Sequence, residues 1–222
     1  MNSDLIPIHV PPTATHARTL RLPVLIGSWL LVTGALTGAL INYSSRPGLV
    51  ETAPKRWPVE ATIARVEGHW TLLVFGHPKC PCTRSSLSNL ARAIAKPIVP
   101  VDTHLLFIRP PGAEPDWCKS DIYARAAEIR GVLIHTDDQG REAQRFGAAT
   151  SGHAVLYDLD GNLVFSGGLT ASRGHEGDNA GASAITSALC GRVTSTAAAP
   201  VFGCNLRDAP TPTSSPEAGE SR

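Results

Sequence analysis

The sequence is poor in aromatic residues, in methionine and in any surplus of charge. Aromatics make up 5% of 222 residues and there is one methionine. So sparse a set of rings is a poor stacking platform for single-stranded nucleic acid. Lys and Arg total 20 against 19 Asp and Glu, a net charge of +1, so the clustered excess of cations that nucleic acid requires is absent. There is no Gly-rich phosphate loop, no dinucleotide fingerprint, no HExxH and no internal repeat, and no cofactor is expected. Five cysteines are too few for a disulfide scaffold. What is present is apolar bulk: hydrophobic residues make up 42%, enough to bury a core.

One long apolar run stands near the N-terminus. From Leu22 to Ser45 no residue is charged, and the greasiest part is 22–41. As a helix, twenty such residues span about 30 Å, the thickness of a bilayer core. Signal-peptide cores are shorter and end in a small-x-small site, and no clean site follows here. The run is therefore expected to be an uncleaved transmembrane anchor, with a cleaved signal or a buried soluble helix as alternatives. Arg18 and Arg21 precede it and Arg46, Lys55 and Arg56 follow it, so the positive-inside rule scarcely discriminates. A short tail before the run and the bulk of the chain after it favour a cytoplasmic tail (1–21) and an extracytoplasmic, periplasmic domain. A Pro-containing stretch, 42–60, reads as a linker. The domain is expected over 61–191, and the Ala/Thr/Ser/Pro-rich 192–222 as a largely disordered tail.

Within 61–191, apolar runs alternate with helical spacing. Strands are expected over 71–75, 103–108, 132–135, 154–157 and 163–165, the last two joined through Asp160-Gly161 as a hairpin. Helices are expected over 83–95, 121–129, 139–146 and 179–189, the last capped by Asp178 or Asn179. The order implies an α/β fold: a mixed sheet flanked by helices, parallel strands closed by an antiparallel hairpin.

The chemistry lies in His77-Pro78-Lys79-Cys80-Pro81-Cys82-Thr83. It follows the first strand and opens the first helix. A thiol at a helix N-terminus meets N–H donors and the positive end of the macrodipole, which favours thiolate, the nucleophile of disulfide exchange. Lys79 adds a positive neighbour. Alpha carbons two residues apart lie about 5.5–7 Å from each other, overlapping the disulfide window, so Cys80 and Cys82 can close on each other. Pro81 stiffens the bridge. Cys80, at the start of the helix, is expected to attack and Cys82 to resolve.

Strand, Pro-containing cysteine pair, helix, crossover and closing hairpin resemble the thioredoxin fold. The segment Tyr157-Asp158-Leu159-Asp160-Gly161 is similar to a stretch of membrane-anchored thioredoxin-like proteins of the TlpA and ResA type. More narrowly, HPKCPCT, ATSGH, LYDLDGNLVFSGGLTASRGHEGDNAG and PVFGC resemble bacterial membrane-anchored RedB-type proteins. The resemblance implies a thioredoxin-like domain and a protein thiol or disulfide as substrate or redox partner. It also marks two departures. The pair is C-x-C rather than C-x-x-C, and Gly152 stands where the family places a cis-proline facing the cysteines. Losing that proline implies easier metal access to the thiolates.

Other residues join the candidate site on weaker grounds. His77 with the pair makes H-x-x-C-x-C, and His153 is expected to start the strand beside the first one. Soft thiolates with an imidazole suit Cu(I), so Cys80, Cys82 and His153 form an alternative copper set, against ordinary loop and strand-end histidines. The Gly-rich 166–179 should emerge on the cysteine side of the sheet, bringing Arg173, His175 and Asp178 near. Cys190 and Cys204 are candidates for a structural disulfide; alternatively Cys204 is a mobile resolving thiol. Cys118 is expected to be free or buried. The leading expectation is a single-pass, extracytoplasmic thiol–disulfide oxidoreductase. A copper chaperone or sensor comes second, and an interaction module with structural cysteines third.

Overall fold

The computed structural model describes residues 21–193 and 195–207. The expected cytoplasmic tail and the last fifteen or so residues of the expected disordered tail therefore lie outside the described residues, Arg21 apart. The chain divides into two units, Met1–Tyr43 and Ser44–Arg222. In the first, helix α1 (Arg21–Ser44) contains a stretch of mean hydropathy 2.0 whose side chains are not buried. It is long and apolar enough to cross a membrane.

The second unit is a mixed α/β sheet. In chain order it contains β1 (Trp70–Gly76), α2 (Pro81–Ala93), β2 (Val101–Arg109), a 3-10 turn (Pro115–Cys118), α3 (Asp121–Ala127) and β3 (Val132–Asp138). There follow α4 (Arg141–Arg145), β4 (His153–Tyr157), β5 (Leu163–Gly168), α5 (Ala180–Leu189) and β6 (Ala198–Ala199). The sheet order is β3-β2-β1-β4-β5-β6. β1, β2 and β3 run parallel; β4 is antiparallel to β1 and to β5, and β6 is parallel to β5. Three parallel strands closed by an antiparallel hairpin, with helices in the crossovers, make the thioredoxin-like arrangement.

Both faces of β1 are covered, which is why it reads as a continuous apolar run. Leu72 and Val74 point to one face, against Leu87 and Leu90 of α2 and Ile185 and Leu189 of α5. Leu73 and Phe75 point to the other, with Phe146, Val155 and Tyr157. The helix signals hold locally. Ser120 caps α3 by accepting from the Tyr123 N–H (3.2 Å), and Asn179 caps α5 by accepting from the Ala182 N–H (2.8 Å).

Two domain limits are corrected. The second face has a helix of only five residues, α4, too short to cover it. Segment 53–63, expected as linker up to 60, covers the rest. Ala53 and Ile63 are buried there, Trp57 packs edge-on to Phe146 (4.9 Å) and Tyr157 (5.2 Å), and the Tyr157 hydroxyl donates to the Pro54 carbonyl (2.8 Å). At the other end, the expected disordered tail supplies β6 and the buried Val201, Phe202 and Leu206. The small and polar residues around them concealed three apolar side chains that are buried, Leu206 among the core of the second sheet face.

Candidate active site

β1 ends at Gly76 and α2 begins at Pro81, so 77–80 is a tight strand-to-helix turn. Cys80 is the N-cap of α2 in extended conformation (φ −94°, ψ 122°), with Pro81 in the first turn. Proline fits there because its missing N–H has no helical partner to lose. The Cys80 N–H donates to the His77 carbonyl (3.1 Å), and the Cys80 carbonyl accepts from the Thr83 N–H (3.0 Å). The turn is also locked from across the sheet. The Thr83 hydroxyl donates to the His77 carbonyl (2.9 Å), and the His77 N–H donates to Ser151 Oγ (3.0 Å). The Ser151 hydroxyl therefore gives its own proton to Thr83 Oγ1, 2.8 Å away.

Cys80 is bonded to Cys204, with alpha carbons 6.4 Å apart. This replaces the expected Cys190–Cys204 pairing. Cys190 ends α5, carries a free thiol and sits 3.8 Å from the Lys96 carbonyl. After it the chain runs along β5 as β6 and crosses to the cysteine end of the sheet. There the Ser151 N–H donates to the Cys204 carbonyl (2.8 Å), Thr150 bridges Asn205, and the Leu206 N–H donates to the Ala149 carbonyl (2.9 Å). The Arg173 guanidinium donates to the Gly203 carbonyl. Gly203 lies so close to Ser151 that a methyl group would overlap the Ser151 carbonyl. Gly152, in the expected cis-proline position, has φ +88° and donates its N–H to the Phe75 carbonyl (2.7 Å). A side chain there would meet Ser86 of α2 as well as the strained backbone.

Cys82, one residue into α2 beyond Pro81, is free and partly exposed. The sulfurs of Cys80, Cys82 and Cys204 all lie within 4.8 Å of one another. Cys80 is 2% exposed. The cysteine expected to attack is therefore the buried one: the N-cap side chain turns inward to its bond with the returning tail, whereas Cys82 and Cys204 are partly exposed.

The histidines divide differently from expectation. His153 does start the strand beside β1, opposite Phe75. By the alternation of the pleat its ring shares the face of Phe75 and Val155, away from α2. It is fully buried, with Nε2 2.8 Å from Ser166 Oγ, and burial pushes its pKa down to about 4. It is thus a neutral core histidine and no member of the sulfur cluster, so the copper set of Cys80, Cys82 and His153 does not assemble; Cys204 takes the third place. His77 flanks the turn. Its Nδ1 accepts from the Lys79 N–H (3.1 Å), and its pKa is lowered by burial and then by the Lys79 charge. The Lys79 ammonium rests over the Trp117 ring, 3.4 Å from its centroid. His175 lies beside Asn89, whose side-chain amide donates to its carbonyl (3.4 Å). That is two turns along α2 from Cys82. Arg173 is the member of its loop that reaches the site. Cys118 is buried, near the Phe107 and Ile108 carbonyls (3.9 and 3.8 Å), and burial raises its pKa.

Sequence reasoning placed Cys80, Cys82, Pro81, Thr83, Gly152 and Arg173 at one end of the sheet and missed Ser151 and the Cys80–Cys204 bond. The available signal was Pro200-Val201-Phe202-Gly203-Cys204, an apolar pair and a glycine inside a polar tail.

No family model matches the chain, and no curated protein matches it. Among solved structures, an uncharacterized conserved protein from Geobacillus kaustophilus is 19% identical with a TM-score of 0.50, covering 76% of this chain and 92% of that one. A secreted Mycobacterium tuberculosis disulfide oxidoreductase homologous to E. coli DsbE is 18% identical with a TM-score of 0.36, covering 44% and 67%. Copper-bound ScoI from Bradyrhizobium japonicum is 17% identical with a TM-score of 0.37, covering 57% and 87%. At these identities the likeness is one of fold.

Proposed function

We propose that the chain is a membrane-anchored thiol–disulfide oxidoreductase of RedB type, working outside the cytoplasm on a protein thiol or disulfide. The observation that carries the reading is the Cys80–Cys204 disulfide at the N-terminus of α2, with a third sulfur, Cys82, inside 4.8 Å. A disulfide persists outside the cytoplasm, and α1 supplies an anchor of suitable length and composition. The redox pair in this reading is Cys80 with Cys204, rather than the two cysteines of CPC alone.

A substrate thiolate attacks Cys204 Sγ, because Cys80 is buried. The bond to Cys80 breaks, and Cys80 leaves as a thiolate facing the positive end of the thirteen-residue helix α2. The second substrate thiolate attacks the substrate sulfur of the mixed disulfide and releases Cys204. The substrate is oxidised by two electrons and two protons pass to Cys80 and Cys204. The reverse sequence reduces a substrate disulfide. The test is oxidation of a dithiol peptide by the full chain, followed by mass spectrometry. The expected result is stoichiometric peptide disulfide, lost in Cys80→Ser. A Cys80→Ser variant that is merely less stable, beside a wild type that exchanges with no dithiol, would favour a structural role.

The donor set favours a second reading. Three thiolates this close suit a soft, three-coordinate Cu(I), and Cys80, Cys82 and Cys204 would hold it in the reduced state. Titration of the reduced chain against a Cu(I) chelator checks this. One-to-one binding lost in both Cys82→Ser and Cys204→Ser supports it, and binding that survives either variant rejects it.

A further inference from the structure

The free thiol of Cys82 lies beside a disulfide whose two halves are held in place independently of their bond. The Cys80 half is fixed by the Thr83–His77–Ser151 hydrogen bonds. The Cys204 half is fixed by Ser151, Ala149 and Arg173, by the Thr150–Asn205 bridge and by the buried Val201, Phe202 and Leu206. Opening the bond therefore leaves Cys204 seated in the cluster. The remaining free cysteines, Cys118 and Cys190, lie outside it. We propose that the site is a three-sulfur relay in which the disulfide migrates within the protein, a role that rests on the oxidoreductase reading above and adds Cys82 and Cys204 as interchangeable partners of Cys80.

In the migrating step the Cys82 thiolate attacks Cys80 Sγ. The Cys80–Cys82 bond forms, the Cys80–Cys204 bond breaks, and Cys204 departs as a thiolate that takes up the proton lost by Cys82. One disulfide and one thiol are present before and after, so no external oxidant or reductant enters. Alpha carbons two residues apart, about 5.5–7 Å, overlap the range that disulfides span. The two oxidised isomers present different nucleophiles to a partner. Cys82, on the first turn of α2, is free in one, and Cys204, on the returning tail, is free in the other. A substrate thiolate captured as a mixed disulfide on Cys204 of the first isomer, or on Cys82 of the second, is released as its disulfide when its own second thiolate attacks the bound substrate sulfur, and the three protein sulfurs are left as thiols.

The test reads the chain's own peptides. The full-length protein in detergent is equilibrated in glutathione buffers, quenched in acid, alkylated and digested with trypsin. Cleavage after Lys79 and Arg84 leaves Cys80 and Cys82 on one peptide, and cleavage after Arg192 and Arg207 leaves Cys204 on another. The structure's isomer gives the two peptides cross-linked; the migrated isomer gives a closed 80–84 ring and an alkylated 193–207. Both isomers are expected, in a ratio that stays constant as total glutathione is varied at fixed redox ratio, because the two hold the same number of disulfides and thiols. Cys82→Ser should retain only the cross-link, Cys204→Ser should retain only the ring, and Cys190→Ser should leave the ratio unchanged. Cross-link alone in the wild type, with Cys82 fully alkylated, or a folded Cys204→Ser that closes no ring, overturns the relay. Isomers that interconvert in a protein inert toward dithiol peptides would break the oxidoreductase reading and leave the migration standing. Substrate oxidation with a single isomer would do the opposite.

Discussion

The two segments that deliver sulfur to the site differ in kind. The turn that carries Cys80 and Cys82 is local: an apolar strand, four residues and a proline-started helix place both cysteines within one stretch of chain. The segment that carries Cys204 is long-range. It has a two-residue strand, a few buried apolar side chains and backbone hydrogen bonds to 149–151, and its cysteine lies 124 residues from its partner. The local turn holds its geometry by propensity and capping. The returning segment holds its geometry only because the rest of the domain is folded beneath it. A site built from both is sensitive to global folding at one sulfur and to local helix structure at the others.

Breaking the long-range link should have the largest effect. Closing a loop of 124 residues lowers the entropy of the unfolded chain by about 5 kcal/mol in the loop-closure estimate. Denaturant titration of the oxidised chain should show most of that advantage over the reduced chain. Cys204→Ser should fall between them where the short Cys80–Cys82 ring forms.

Acidification should come next, acting on the strand start that lies between the two segments. Unfolded His153 takes up a proton near 6.5, whereas the buried ring resists until about 4. The stability of the neutral form is therefore complete above pH 6.5 and lost as pH falls toward 4, by about 3 kcal/mol. His77, His104 and His135 are also lowered by burial and act in the same direction. Unfolding midpoints measured from pH 7 to 4 check this, and His153→Gln should flatten the profile.

Gly203→Ala sharpens the comparison without touching a sulfur. The added methyl overlaps the Ser151 carbonyl, so the returning segment must shift, at about 1–3 kcal/mol. Peptide mapping should show the Cys80–Cys204 cross-link reduced relative to wild type while α2 remains folded. The smallest effect belongs to a purely local device. Asn179→Ala removes the cap of α5 and should lower stability by about 1 kcal/mol, with the cross-link unchanged.

Much of the fold was legible because its signals are short-range. The runs at 71–75 and 103–108 needed only their neighbours to read as buried strands, and Asn179 needed only the helix after it to read as a cap. The second sheet face was less legible. Its cover is 53–63, an irregular segment whose Ala53, Trp57 and Ile63 have no period to betray them. At the site, Cys80 and Cys82 were visible as a motif, but the burial of Cys80 was not, since an N-cap side chain can turn outward or inward and only the overlying tail settles which. His153 was placed at the right strand start and on the wrong side of its consequences. Strand alternation fixes its face only once its register with Phe75 is known.

By itself the sequence determined a strand–cysteine–helix turn, a parallel sheet with a closing hairpin and an apolar helix ahead of them, because each depends on residues a few positions apart. Only the tertiary structure decided which sulfur meets which. The partner of Cys80 is chosen by where Val201, Phe202 and Leu206 can be buried and where the 149–151 backbone offers hydrogen bonds, and both exist only on the assembled sheet.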